Sequence, residues 1–279
     1  MRGRERSNTQ MKLLLAITSC LFGLVLTGVS QDKQPAFDVK EFDKKLETAQ
    51  WLVVYDNVAW KTTDVVMAQP KEKQSGLGPE WFCFQDKNKL WHAVYGKLNG
   101  EKYEVAFHYE MDAAEKIKAS AEKLDQDFLN RHAAALKTSR EKLVTSIPPG
   151  SPAFNQYIRQ NADKTFSVWL FPAFQPDRMA VYGGEGIYTV DATGKKIVKD
   201  ESYFQLTLRG LKTEPPREIW LDYSEMDKPS LGAIFFVWYY KDYFTKIFIS
   251  NEKTTSTMVK TANQYLWLHV VKDEEEKPK

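Results

Sequence analysis

Three side chains in the N-terminal half have the types a metal site needs: His92, Glu104 and His108. They lie in two alternating runs, residues 91–95 and 103–109, on either side of Asn99-Gly100. Alternation flanking Asn-Gly marks a β-hairpin. Its register follows from which pairing keeps like with like. A two-residue Asn99-Gly100 turn pairs Trp91 with His108 and Tyr95 with Glu104, mixing apolar and polar on both faces. A three-residue loop, Leu98-Asn99-Gly100 with Gly100 left-handed in a bulge, sorts them. Trp91, Ala93, Tyr95, Tyr103, Val105 and Phe107 then share one face, and His92, Val94, Glu104, Ala106 and His108 the other. Two imidazoles and a carboxylate on one face are a ligand set for a divalent metal such as zinc. The competing reading is a half-polar face under a helix, each histidine hydrogen-bonded. No His-Glu-x-x-His or comparable spacing supports the metal, and no other cofactor is expected.

A second candidate is aromatic. Trp220, Trp238, Tyr239 and Tyr243, with Tyr223, Tyr240 and Trp267 nearby, fall on or beside expected strands. Exposed rings in that setting stack on sugars or present a partner surface; the competing reading is core packing. In a strand Trp238 and Tyr240 point one way and Tyr239 the other, so one ring faces away from the core.

Other chemistries lack their signatures. Gly183-Gly184-Glu185-Gly186 has neither the lysine nor the helix of a P-loop, and Glu185 repels phosphate, so it reads as a hairpin turn needing positive φ. No Gly-x-Ser-x-Gly elbow is present, and His132 and His269 sit in no motif. Cys83 lies in the apolar run Trp81-Phe82-Cys83-Phe84 and reads as a buried, inert thiol.

The elements that position these groups are legible in outline. Asp38 and Glu41 form a capping pattern before Val39, Phe42, Leu46 and Ala49, a short amphipathic helix ending near the apolar run 51–55. Asp112 and Glu115 repeat the pattern and open a long helix toward Val144, stopped by Pro148-Pro149, with Ile117, Ala121, Leu124, Phe128 and Leu136 as its docking stripe. Beyond it, runs 153–159, 165–171, 179–182, 187–190, 203–208, 219–223, 234–240, 245–249 and 265–271 read as strands. Turn chemistry at 161–164, 183–186, 191–194 and Pro215-Pro216 separates many of them. The fold class is therefore α+β: an N-terminal helix–β-hairpin–long helix, then a mostly antiparallel, sandwich- or barrel-like sheet.

The first thirty residues state a compartment. Arg2, Arg4, Arg6 and Lys12 precede an uncharged run over 13–29, and Gly28 and Ser30 stand at minus three and minus one to a cut before Gln31. That is a signal peptide, with Met11 as a second possible start. The run is at the lower edge of bilayer-spanning length, so a retained anchor is the alternative. Lipidation at Cys20 is disfavoured because uncharged residues continue after it. The parts are thus 1–30 leader, 31–149 α+β, 150–272 β, and 273–279 a charged disordered tail.

The leader holds four of the 39 basic residues and one of the 37 acidic ones, so the remainder is close to neutral and offers nucleic acid no basic surface. With Cys20 removed, Cys83 has no intramolecular partner, and the fold must stand on packing alone. The expectation is an exported, periplasmic or extracellular, non-catalytic binding or assembly protein. Its partner would be a protein, a glycan or a small apolar ligand, with membrane contact only through an uncleaved leader. A hydrolase using His92, Glu104 and His108, with or without a metal, is one alternative; a carrier of an apolar ligand is another.

Overall fold

A computed structural model describes residues 37–214, 217–262 and 264–272. The expected leader, charged tail and Pro215-Pro216 turn lie outside them. The fold is α+β, with three mostly antiparallel sheets.

Helix α1 spans Val39–Met67, and the Asp38 carboxylate caps it by accepting from the Glu41 amide at 3.1 Å. It does not end near residues 51–55. Leu52, Tyr55, Val58, Ala59 and Val66 are buried at helical spacing, so packing overrides the weak helix propensity of Val53 and Val54. A single turn, α2 (Lys71–Gln74), follows.

The first sheet is a meander of β1 (Phe82–Gln85), β2 (Trp91–Asn99), β3 (Lys102–Met111) and β4 (Ile117–Ala119). The hairpin exists, but neither expected turn does. Asn99 pairs with Lys102, leaving Gly100-Glu101 as the two-residue turn, and only Gly100 has positive φ (61°). Glycine at the first central position is the type II′ pattern, whose twist matches the flanking strands. Farther along, Tyr95 pairs with Phe107 and Gly96 with Val105, so Ala106 is an extra residue in β3. This bulge reverses the faces. Tyr103 and Val105 leave the face of Trp91, Ala93 and Tyr95, while Phe107 stays on it and pairs with Tyr95, with Tyr109 and Met111 beyond it.

Asp112 does not start a helix. Its carboxylate accepts from the Ala114 and Lys116 amides, each at 2.9 Å, and turns the chain into β4. The long helix, α3, is confined to Gln126–Ser146 and is capped by Asp125, which accepts from the Phe128 amide. Thus Ile117, Ala121 and Leu124 precede it, and Leu129, His132, Ala133, Leu136 and Leu143 form its buried face. Ile147 ends it in an extended conformation, as a residue before proline prefers.

The β region divides into two sheets. One holds β5 (Phe154–Gln160), β6 (Phe166–Pro172), β7 (Met179–Val190), β8 (Ile197–Asp200) and β9 (Tyr203–Lys212). The second holds β10 (Glu218–Tyr223), β11 (Lys246–Asn251), β12 (Thr254–Lys260) and β13 (Tyr265–Val271). Two sequence expectations fail here. Residues 183–186 are no turn but the middle of β7, where Gly183 (φ 91°) stands opposite residues 205–208, which bulge out of β9, and Glu185 points into the core. Residues 234–240 are no strand but part of helix α4 (Leu231–Tyr240). Strands β10 and β11 are parallel neighbours, and parallel strands need a crossover, which α4 supplies. Ser230 caps α4 by accepting from the Ala233 amide, and the buried Glu185 carboxylate accepts from Ser230 Oγ and, at 2.9 Å, from the Gly232 amide. A carboxylate there complements the helix dipole.

Two apolar cores result. One gathers Leu52, Tyr55, Trp91, Tyr95, Tyr157, Phe171, Phe235 and Ile249 between α1, α4 and the sheets. The other gathers Phe82, Val94, Leu136, Ile158, Phe166 and Val190 under α3. The first sheet therefore has a core on each face, one under each long helix. Among the described residues no helix is long and apolar enough to cross a membrane.

Candidate functional site

On its α1 side the hairpin ends in Trp91 and Met111. These residues wall an open cleft of about 690 Å³ together with Val53, Val54, Asn57 and Trp60 of α1, Phe174, and Tyr239 and Tyr243 at the end of α4. Asp56 also lines it, and its side chain is almost wholly buried. One oxygen, Oδ1, accepts from Tyr157 Oη at 2.8 Å and Asn155 Nδ2 at 3.0 Å; Oδ2 accepts from Tyr239 Oη at 2.8 Å. All three donors are neutral, and among the described residues no lysine or arginine forms an ion pair with Asp56. Burial pushes the Asp56 carboxyl above its ordinary value, while the three hydrogen bonds pull it down. Burial and then the Asp56 charge hold Tyr239 well above the usual phenol range, so it remains a donor. The mouth of the cleft adds Asp112 and Glu115, the latter held by Asn57 Nδ2 at 2.7 Å and by Lys61.

A carboxylate has about four lone-pair directions, and three are used at Asp56. The cleft thus combines apolar and aromatic walls with one charged acceptor in a poorly solvated position, the usual composition of a small-molecule site.

The expected aromatic candidates separate. Tyr239 and Tyr243 reach this cleft. Trp220 does not: it lies 56% exposed on the outer face of β10, stacked on Phe248 at 4.3 Å. Trp238 packs edge-on against Tyr265 at 5.7 Å, with Lys241 Nζ 5.1 Å from its ring centre. Because α4 is a helix, alternation does not govern which of its rings face out. Asp56, Trp60, Trp91 and Phe174 line the cleft without belonging to any sequence motif. The available signal was a lone acid within the apolar helical stretch of residues 51–60.

On the other face, His92 and His108 do come together, with Nδ1 of the first 2.9 Å from Nε2 of the second. Glu104 does not join them. The bulge at Ala106 puts it opposite Lys97 on the reverse face, where it is exposed and accepts from Asn99 Nδ2 at 3.4 Å. Glu110 instead pairs directly with His92, and Glu122 reaches the same spot from the segment after β4. His92, Glu110 and Glu122 each offer a ligand atom within 4.8 Å of the others.

The remaining candidates are structural. Cys83 is fully buried, and burial, then the Asp56 charge, push its thiol well up, so it stays protonated. His132 stacks on Phe82 and donates from Nδ1 to the Phe128 carbonyl at 2.8 Å; His269 Nδ1 meets Ser256 Oγ at 2.8 Å. A second concavity of about 590 Å³, between α3, the hairpin tip and residues 192–195, is open and lined mostly by polar side chains of both charges.

Comparison of the chain with family models, with curated proteins and with solved structures yields no match, so its function is argued from this geometry.

Proposed function

We propose that the protein is an exported, non-catalytic binding protein whose cleft takes a small organic cation with an aromatic or apolar body. The observation that carries this reading is Asp56: a buried carboxylate held only by neutral donors, at the base of a cleft walled by Trp60, Trp91, Phe174, Tyr239 and Tyr243. An ammonium group placed there would meet the unused lone pair of Asp56 and the faces of electron-rich rings, an attraction of about 0.5–2 kcal/mol per ring depending on desolvation. Asp112 at the mouth adds a second carboxylate that favours cations, while Glu115 there is paired with Lys61. Export rests on the leader of residues 1–30.

The test uses protein recovered from the exported fraction, whose first residue should be Gln31 or a close neighbour. Recovery of residues 13–29 in membrane-bound material would remove export from the reading. Titration with 2-phenylethylamine and its neutral analogue 2-phenylethanol, followed by calorimetry and tryptophan fluorescence, should give about tenfold tighter binding of the amine, a difference near 1.4 kcal/mol. Asp56→Asn should bring the two ligands level. Equal binding of both by the natural protein would make the cleft an apolar carrier site instead, and binding of neither would overturn the cleft as the site.

A further inference from the structure

We propose that His92 Nδ1, His108 Nε2 and the Glu122 carboxylate, with Glu110 as a fourth donor, form a binding site for one zinc-class divalent cation. The site is independent of the cleft, since it lies on the opposite face of the hairpin.

The argument begins with two ring nitrogens 2.9 Å apart. The Glu122 main chain offers the His108 ring an acceptor, which engages Nδ1–H and leaves the lone pair of Nε2 aimed at His92. Without a cation, His92 must then donate from Nδ1. Its Nε2 becomes a lone pair in the interior, and that atom is buried with no hydrogen-bond partner. His92 itself is 1% exposed, clamped flat on Phe84 at 4.7 Å. A buried nitrogen left unsatisfied is costly.

A cation between the rings resolves this. Both facing nitrogens become ligands, and His92 carries its proton on Nε2, 4.0 Å from Asp86 Oδ2, a carboxylate that must close by about 1 Å to accept it. His108 keeps its proton on the side of the Glu122 main chain. Each imidazole then has the carboxylate or carbonyl behind it that metal-bound histidines usually have. Tetrahedral zinc, with Zn–N near 2.0–2.1 Å, asks for nitrogens about 3.3 Å apart, a small opening from the present distance. Glu122 Oε2 stands 4.0 Å from His92 Nδ1 on a mostly exposed side chain, free to close on the ion and open to solvent for its entry. Glu110 is tied to Ser120 Oγ at 2.6 Å and Lys118 Nζ at 2.8 Å, which orients it. Two nitrogens with carboxylate oxygens suit zinc and its neighbours better than calcium or magnesium.

The test uses untagged, chelator-stripped protein titrated with Co²⁺, followed by its visible absorption, and then with Zn²⁺ by calorimetry. One Co²⁺ per chain, displaced by Zn²⁺, is expected. His108→Gln should weaken binding more than about tenfold, and Glu122→Gln should weaken it measurably without touching the core. His269→Gln, at the one histidine on the far β13 strand, should bind as the natural protein does. No stoichiometric binding, or binding that neither His108→Gln nor Glu122→Gln alters, overturns the site. Should His108→Gln fail to fold, the exposed Glu122→Gln decides the matter by itself.

Discussion

The two faces of one hairpin make an instructive contrast. Toward α1, Trp91 and Met111 help enclose a carboxylate, Asp56, that three neutral donors satisfy. Toward α3, His92 and His108 put two ring nitrogens against each other, with one nitrogen of His92 left over. Burial disfavours charge on both sides, but the sign of its effect on titration differs. It raises the acid Asp56 and lowers the bases His108 and His132. One side therefore holds an acid among neutral donors, and the other holds two imidazoles that share a single hydrogen between facing nitrogens.

The largest effect should come from the bulge that separates the faces. A side chain at Gly96 would put Cβ 2.1 Å from the Glu104 carbonyl oxygen and 3.0 Å from the Tyr103 ring. Backbone cannot yield cheaply there, so Gly96→Ala should cost roughly 4 kcal/mol in denaturant unfolding. A loss below about 1 kcal/mol would mean the strands pair without the Ala106 bulge, and Glu104 would then return to the histidine face.

Next comes the opposite response of the two sides to acid. His132, buried among Phe82, Phe128 and Phe166, is lowered to about 4 by burial, so it stays neutral in the fold where the unfolded chain protonates near 6.5. The unfolded state binds more protons in that window. Stability contributed by His132 is thus full above pH 6.5 and lost as pH falls toward 4, about 3 kcal/mol in all. Asp56 and Glu185 act in the other sense. Their folded values are raised by burial, so protonation favours the fold as pH falls through them. Urea unfolding at pH 7 and pH 4.5 should show a smaller acid loss for His132→Leu than for the natural protein. Parallel losses would show that His132 does not carry the acid sensitivity.

The smallest effect concerns the turn. Gly100 has φ of 61° with open space around its Cβ position, so Gly100→Val should cost only the left-handed penalty, about 1–2 kcal/mol. Asn99→Ala, at a strand residue whose side chain makes one long contact to Glu104, should cost a few tenths of a kcal/mol at most. Similar losses for the two would favour an Asn-Gly turn over the Gly100-Glu101 turn seen here.

Local chemistry was legible in the amino-acid order. Asp38 and its cap, the hairpin around Gly100, the turns at Asn161 and Asp191, and the burial of Cys83 all follow from short-range preferences, and each is present. Pairing of His92 with His108 was only half within reach: from a Gly100-Glu101 turn strict alternation sets them on opposite faces, and the Ala106 bulge brings them to one. Three decisions belonged to the tertiary structure. One residue, Ala106, bulges out of β3 and exchanges Glu104 for Glu110, and a period of two cannot reveal where an extra residue will be tolerated. The apolar run of α4 carries no periodicity to separate helix from strand, and the parallel pairing of β10 with β11 settles it as a crossover. Asp56 acquires its tyrosines from 101 and 183 residues away. Its role as a site could arise only when α1, β5 and α4 packed together, because a buried charge is tolerable only where such distant donors meet it.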